Sequence, residues 1–200
     1  IDLSKIPADL LTISAHKFYG PKSVGALFAR DSFSQHSPLT PIIHGGGQER
    51  GKRSGTENVA GIVGLGSASA IVSEEMLSDQ SKIRNLRDEL LKRLEDNIDD
   101  IKLKGSLENM LWNTLNLSIL GAEGESLAMN LDIEGVAIST GSACSEGAVD
   151  PSHVLSAMGL TSAQAASSIR ISLGRFTEKD DIDYVASIFP KVVERIRRVK

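Results

Sequence analysis

The single cysteine of this 200-residue chain, Cys144, lies in the segment ISTGSACSEGAVD, among small and polar residues. A buried structural cysteine normally belongs to an apolar run. A reactive thiol needs its thiolate form, which an exposed loop solvates better than a core does. We therefore interpret Cys144 as a reactive thiol, with a buried, inert structural cysteine as the alternative. His153 follows nearby but falls on a predicted helix, so it is not interpreted as the base.

A second group of candidate residues lies in TISAHKFYGPKSVG, where an extended segment ends near Lys17 and Gly20-Pro21 marks a turn. In an extended segment Ser14 and His16 point to the same side, which places two hydrogen-bonding side chains next to each other. A lysine held at a strand end and partly removed from water suits Schiff-base chemistry. The alternative is a surface lysine beside a structural histidine.

The segment IIHGGGQERGKRSGTENVAG combines three glycines, Gly45–Gly47, with the positive charges of Arg50, Lys52 and Arg53. Glycines let backbone amides approach a ligand closely, and amides with a hydroxyl at a helix start suit a phosphate. Thr56 is the candidate hydroxyl. The spacing matches neither a Walker loop nor a dinucleotide-binding fingerprint. A glycine-rich turn with solvated charges is the alternative.

In SSIRISLGRFT, Arg170 stands between Ile169 and Ile171 on a predicted strand. If both isoleucines face the core, Arg170 faces the other side, where its planar fork could bind a carboxylate with two hydrogen bonds. A solvent-facing arginine on an edge strand is the alternative. Arg175, after Gly174 in a predicted turn, is the less favoured candidate.

These residues must be positioned by strands that alternate with helices, which predicts an α/β or α+β protein. A boundary between two domains is predicted between the first long helix and the second, around 73–81. The predicted domains are 1–73 and 74–200. Strands are expected at 10–14, 24–29, 114–119, 136–139 and 169–173, and helices at 58–76, 79–97, 123–131, 151–158 (with Pro151 in its first turn) and 178–199.

Composition limits the classes of function. The chain has 22 Lys and Arg against 26 Asp and Glu, a balance that gives no electrostatic reason to expect nucleic acid. The sequence contains no uninterrupted apolar run long enough to span a membrane, so no membrane segment is predicted. A lone cysteine forms no internal disulfide, which fits a reducing compartment such as the cytoplasm. The chain begins at Ile1 and reaches a strand within ten residues, as a sequence entered midway would.

Four stretches in this order and spacing resemble one family. SAHKFYGPKSVGALF, HGGGQERGKRSGTENV, STGSACSEG with DPSHVLSAMG, and SSIRISLGRFT are similar to the C-terminal half of the NifS/IscS-like cysteine desulfurases, class V aminotransferases of pyridoxal phosphate (PLP) fold type I. The resemblance covers the whole chain. It implies an α/β fold in which 1–73 completes the large cofactor domain and 74–200 forms a small α+β domain.

The resemblance also implies a role for each candidate near the cofactor. Lys17 would hold pyridoxal 5′-phosphate covalently and move the substrate α-proton. Ser14 and His16 would bind the cofactor phosphate. Thr56 would reach the phosphate in the active site of the partner subunit of a homodimer.

For the substrate, the resemblance implies that Arg170 binds the carboxylate of L-cysteine and that Cys144 takes its sulfur as a persulfide, releasing L-alanine. The expected sulfur acceptor is another protein, such as an iron–sulfur scaffold or a tRNA-thiolation enzyme. No metal site is expected. The remaining cofactor contacts would lie in an N-terminal half, so the chain is expected to be incomplete for the reaction. A selenocysteine lyase and a non-catalytic sulfur-relay fragment are the alternatives.

Overall fold

The structure is a computed structural model that describes residues 1–30, 39–140 and 152–198. The chain forms two compact units, Ile1–Met76 and Leu77–Lys200. The boundary between them falls inside one long helix, α1, which spans Val59–Asn97. The assignment of these units to a cofactor domain and a small domain stays a prediction.

The first unit contains an antiparallel pair of strands, β1 (Leu10–Ser14) and β2 (Gly25–Ala29). In the register of this pair, Ser14 lies opposite Gly25. A Cβ atom at Gly25 would lie 2.4 Å from the carbonyl oxygen of Ile13, so only glycine permits the close approach of the two strands. Both strands occur where apolar, β-branched runs predict them, and β2 begins one residue later than expected.

The helix α1 is 39 residues long and unbroken. Its first turn is capped by Asn58, whose Oδ1 accepts a hydrogen bond from the Gly61 amide at 3.1 Å. The prediction of two helices separated at 73–81 was wrong. That stretch contains no glycine or proline, and the Ser81 hydroxyl donates to the Leu77 carbonyl one turn earlier at 3.2 Å, so nothing in it interrupts the helix.

By length and composition alone, α1 is also apolar enough to cross a membrane. Its most apolar 18-residue window has a mean hydropathy of 1.2, and 11% of that window is buried within the structure. Core helices of soluble proteins meet the same criterion. The expectation that this chain does not enter a membrane therefore stays a prediction.

The second unit is built on an antiparallel sheet in the order β3-β4-β5. Its strands are β3 (Ile101–Leu103), β4 (Thr114–Ile119) and β5 (Ser168–Ser172). Strand β3 was not predicted, because three residues are too few to show alternation. The strand predicted at 136–139 was wrong, since only an isolated bridge between Ser139 and Arg170 forms there.

The described residues of this unit also form the helices α2 (Gly124–Ile133), α3 (His153–Ala157), α4 (Ser162–Ala166) and α5 (Lys179–Arg198). Helix α3 begins at His153, after the position expected from Pro151, which lies outside the described residues. Helix α4 was missed, although Thr161 and Gln164 form a capping box at its start, with bonds of 3.3 and 3.0 Å.

The core of the second unit lies on one face of the sheet. Alternate residues of β4 and β5 pack there against the second half of α1, against α2 and against α5. Burial of this apolar surface is the main source of stability. The buried core residues are Ile83, Leu90, Leu91, Leu94, Ile98, Leu115, Leu117, Ile119, Ala122, Leu127, Leu131, Ile169, Ile171, Leu173, Ile182, Ala186, Phe189, Val192 and Val193.

Ion pairs on the surface join α1 to α5. Lys179 donates to Glu89 at 2.6 Å, and Arg93 donates to Asp183. The hydrogen bond from Arg93 holds the pKa of Asp183 below its ordinary value, and the bond to Glu89 raises the pKa of Lys179. Such exposed pairs orient the helices more than they stabilise them.

Candidate functional site

Lys17 lies on a short 3₁₀ helix, Ala15–Phe18, that follows β1 directly. The strand ends at Ser14, so the prediction that His16 continues the extended segment beside Ser14 was wrong. Within the described part of the chain, Lys17 and His16 are exposed and Ser14 is half-buried. The expectation that Lys17 is partly removed from water is therefore not met by this chain's own described residues.

Tight backbone packing holds this helical turn. Ala15 is fully buried, and the Gly20 amide donates to the Ala15 carbonyl at 2.9 Å. A Cβ atom at Gly20 would lie 2.8 Å from the Ala15 Cβ. Tyr19, at the end of the turn, has the left-handed φ of 69°, a conformation that costs energy for a residue other than glycine. The polar side chains of the turn are thus presented on a constrained backbone.

Helix α1 packs close to the loop that follows the turn. A Cβ atom at Gly64 would lie 2.6 Å from Pro21 Cγ. Gly64 is therefore a position of close packing, whereas a Cβ atom at Gly66 would meet no other part of the described chain within 4 Å.

The glycine-rich segment is held by hydrogen bonds that the sequence analysis did not anticipate. Ser54 is buried and its hydroxyl donates to the Gly46 carbonyl at 2.7 Å. The Gly55 amide donates to Gln48 Oε1 at 3.1 Å. Arg50 has a left-handed φ of 56°. The burial of Ser54 could not be predicted from the sequence, because the residues around it are polar.

Two of the candidate phosphate ligands in this segment differ in availability. Thr56 is exposed and lies three residues before the start of α1, because the cap is Asn58. The ammonium of Lys52 donates to the Leu39 carbonyl at 3.2 Å, so it contacts the backbone that precedes the glycine-rich segment. Among the described residues Thr56 is therefore exposed, whereas Lys52 is already engaged.

Arg170 lies in the second unit, on the face of β5 opposite the core, as the alternation predicts. Ile169 is fully buried and Ile171 is 8% exposed, whereas Arg170 is half-buried. Its Nη2 atom donates to Ser139 Oγ at 3.3 Å. Its Nε atom is buried and has no hydrogen-bond partner among the described residues. A guanidinium with remaining donors on a non-core face can bind an anionic ligand.

Arg175 is engaged in the packing of its own unit. Its Nε atom lies 3.7 Å from an Asp79 carboxylate oxygen, and its guanidinium lies 5.7 Å from the centre of the Phe176 ring. These contacts agree with the preference for Arg170 as the ligand-binding arginine.

Cys144 lies outside the described residues, as do all residues from 141 to 151. His153 is exposed at the first position of α3. In the described part of the chain, no group of three or more His, Cys, Asp or Glu side chains is arranged to hold a metal ion.

Comparison with known proteins agrees with this arrangement. A family model described as aminotransferase class-V matches residues 1–185. The cysteine desulfurase IscS of Dictyoglomus turgidum is 45% identical over 199 residues, which are all of this chain and 50% of that protein. The chain thus spans about half the length of the curated relatives it matches.

Solved structures show the same likeness. A NifS-like protein matches with a TM-score of 0.85 and 35% identity, over 98% of this chain and 49% of that one. A structure titled SspA in complex with cysteine matches with a TM-score of 0.62 and 35% identity, over 89% and 47%.

These neighbours have the PLP-dependent fold type I, so the predicted fold class is confirmed. The family uses pyridoxal 5′-phosphate. The resemblance seen in the four sequence motifs is likewise confirmed. This chain belongs to the aminotransferase class-V family.

Proposed function

We propose that this chain supplies the lysine and thiol half of a PLP-dependent cysteine desulfurase, which converts L-cysteine to L-alanine and leaves a persulfide on Cys144. The supporting observation is the Lys17 turn, in a family whose relatives include proteins named cysteine desulfurase. The reaction is proposed for the protein in which this chain is combined with the rest of the fold, because the chain spans half of those relatives.

The residues of the Lys17 turn fit the cofactor. An exposed amine, an imidazole and a hydroxyl occur within four consecutive residues, Ser14 to Lys17, on a constrained backbone. An amine can attach the cofactor aldehyde, and hydroxyl and imidazole donors suit its phosphate. When bound, the cofactor acts as the electron sink for the substrate carbanion.

Other steps are assigned to individual residues of this chain, namely phosphate binding, proton transfer and binding of the substrate carboxylate. Ser14 and His16 would hold the phosphate, and Thr56 would reach the phosphate of the partner subunit in a homodimer. Lys17 would move the substrate α-proton as a general base and acid. Arg170 binds the substrate carboxylate. The half-buried position of Arg170 on the non-core face of β5 supports that assignment.

Sulfur transfer then requires one thiol. The thiolate of Cys144 attacks the substrate sulfur, an S–S bond forms and the Cβ–S bond breaks. The electron pair of the broken bond passes to the substrate carbon skeleton, which takes up a proton and leaves as L-alanine. The products are one L-alanine and one enzyme persulfide for each L-cysteine, so atoms and electrons balance without an added oxidant. The persulfide passes to an acceptor protein of iron–sulfur cluster assembly or tRNA thiolation in the cytoplasm.

Covalent attachment of the cofactor tests the lysine assignment. The complete enzyme is loaded with pyridoxal 5′-phosphate, reduced with borohydride, digested and analysed by mass spectrometry. The cofactor mass is expected on the peptide that contains Lys17, and Lys17→Ala should lose it. Lys22→Ala is the matched control, because Lys22 is an exposed lysine five residues away and its loss should leave labelling intact. Labelling that survives in Lys17→Ala would contradict the proposal.

A second variant tests the thiol. Cys144→Ser in the complete enzyme should still bind cofactor and L-cysteine, yet release no sulfide and form no persulfide. Sulfide release at the wild-type rate would remove Cys144 from the reaction.

The half-length match favours one further candidate function, a non-catalytic sulfur-relay protein. The visible absorbance of the 200-residue chain after addition of the cofactor distinguishes the two. An absorbance band that is lost in Lys17→Ala supports cofactor binding by this chain. If no band appears but persulfide transfer at Cys144 is retained, the result supports the relay.

A further inference from the structure

A row of polar residues crosses the non-core face of the sheet in the second unit. The facing pairs of β4 and β5 on this side are Thr114 with Ser172, Asn116 with Arg170, and Ser118 with Ser168. Ser139 continues the row beyond Arg170 through the isolated bridge. Arg170 is therefore flanked by Ser139 on one side and by Asn116 on the other.

The backbone hydrogen bonds show how close Asn116 and Arg170 lie. The Arg170 amide donates to the Ser139 carbonyl at 2.6 Å, and the Ser139 amide donates to the Arg170 carbonyl at 3.0 Å. The Asn116 carbonyl accepts from the Lys104 amide at 2.8 Å. The backbone groups of Asn116 and Arg170 thus point away from each other. This pattern identifies a non-hydrogen-bonded antiparallel pair, in which facing side chains approach most closely.

Among the described residues, each member of this pair has a buried polar atom without a hydrogen-bond partner. Among the described residues, the only two buried side-chain nitrogen or oxygen atoms without a hydrogen bond are Asn116 Oδ1 and Arg170 Nε. One is an acceptor and the other a donor. Buried polar groups are nearly always paired, so two complementary unpaired atoms on facing residues indicate a bond that a small side-chain rotation completes.

We propose that Asn116 is a positioning residue for Arg170, and that its Oδ1 accepts the Nε–H of Arg170 when the guanidinium binds a carboxylate. The inference rests on the proposed function in one respect, namely that the carboxylate is that of the substrate amino acid. The pairing itself is a property of the sheet and does not depend on the reaction.

The geometry determines which donors remain for the ligand. Because Arg170 Nε is buried, a carboxylate does not reach it from solvent. Ser139 Oγ accepts from Nη2, and Asn116 would accept from Nε. Ser139 and Asn116 would together fix the orientation of the guanidinium. Its remaining Nη hydrogens would then bind the carboxylate with two parallel hydrogen bonds. Because the side chain is already oriented, less conformational entropy is lost on binding.

The pairing is tested on the 200-residue chain by measuring the solvent exchange of the Arg170 Nε–H by nitrogen-15 NMR, with L-alanine as the carboxylate probe. Asn116→Leu keeps the side-chain size but removes the acceptor, so exchange should accelerate about tenfold, the loss expected for one hydrogen bond to a charged group. Asn116→Asp keeps acceptor oxygens, and exchange should be no faster than in the wild type. Ser172→Ala, on the same face at the next pair, is the control and should change nothing.

Unchanged exchange in a folded Asn116→Leu variant, or exchange in Asn116→Asp as fast as in Asn116→Leu, would overturn the proposal.

Kinetics of the complete enzyme give a second readout. Asn116→Leu should raise KM for L-cysteine about tenfold with little change in kcat, and should reduce the preference for L-cysteine over cysteamine, which lacks the carboxylate. A fall in kcat alone would contradict a positioning role. Wild-type enzyme without desulfurase activity would contradict the proposed function and leave the exchange result standing.

Discussion

Arg87 places a full positive charge inside the second unit. Its side chain is 2% exposed. It donates to Asp88 Oδ1 through Nε at 2.8 Å and Nη2 at 2.6 Å, and to the Leu111 carbonyl through Nη1 at 3.0 Å. A buried charge is tolerated only when it is paired and hydrogen-bonded. This arginine therefore ties the loop before β4 to helix α1, and its counter-ion is essential to that contact.

Removal of the counter-ion should destabilise the protein. Asp88→Ala leaves the buried guanidinium with one carbonyl partner, and we expect the free energy of unfolding to fall by about 2 kcal/mol, less than for a fully buried pair because Asp88 is half-exposed. Urea denaturation followed by circular dichroism measures the change. Asp96→Ala is the control, since Asp96 pairs with Lys92 on the exposed face of the same helix, and its loss should cost about 0.5 kcal/mol or less. Equal effects of the two variants would refute the argument.

At the scale of elements, the packing of α2 on β5 depends on one glycine. Gly124 is the first residue of α2 and is buried. A Cβ atom there would lie 2.8 Å from the Ser168 carbonyl oxygen and 3.1 Å from the Ala166 carbonyl oxygen. Both are backbone atoms that do not yield to a side-chain rotation. The start of α2 therefore approaches the sheet only because the residue has no side chain.

The substitution Gly124→Ala should push α2 away from the sheet. We expect a loss of about 1–3 kcal/mol in the free energy of unfolding, the usual cost of overpacking. Gly66→Ala is the matched control, because Gly66 is an exposed glycine inside α1 where an added Cβ atom would meet no other part of the described chain within 4 Å. That change should stabilise the helix by about 0.5–1 kcal/mol. Thermal unfolding should show a lower melting temperature for Gly124→Ala and a higher one for Gly66→Ala. A destabilised Gly66→Ala together with an unchanged Gly124→Ala would contradict this packing.

Across the whole molecule, the two units differ in how much apolar surface they bury. Among the described residues of Ile1–Met76, the buried apolar residues are Ala15 and Ala68, whereas all the large ones belong to Leu77–Lys200. The first unit exposes large apolar side chains instead, including Ile1, Ile6, Leu10, Ile13, Leu27, Ile42, Ile43, Val59, Ile62, Val63 and Ile71. The described part of the first unit, residues 1–30 and 39–76, therefore lacks a core of its own.

Stability should follow this division. In hydrogen exchange of the 200-residue chain, followed by mass spectrometry, peptides from β4, β5 and α5 should be protected to the level of global unfolding. Peptides from β1 and β2 should exchange at least about a hundredfold faster, because local opening there exposes little apolar surface. The exposed N-terminal part of α1 and its buried part at 83–94 give an internal comparison within one helix. Equal protection of β1 and β4 would show that the first unit is stable by itself.

The sequence by itself determined the candidate chemistry and the elements with a clear period. The lone thiol, the lysine turn and the alternation around Arg170 are local patterns, and the strands at 10–14 and 114–119 occur where those patterns predict them. The motifs also gave the family. Elements that were missed or mispredicted carry a weak period: three residues in β3, one capped turn in α4, and a change of composition inside α1 that breaks no hydrogen bond.

Only the tertiary structure decided which side chains meet. His16 left the extended strand for a helical turn because Ala15 is buried and Gly20 folds back on it. Asn116 and Arg170 are 54 positions apart in the printed sequence, and their pairing depends on the register of β4 and β5. Register is set by which faces the whole sheet buries, so no local pattern around either residue contains it. Types and periods are properties of the sequence, whereas contacts between distant residues arise only once the core has formed.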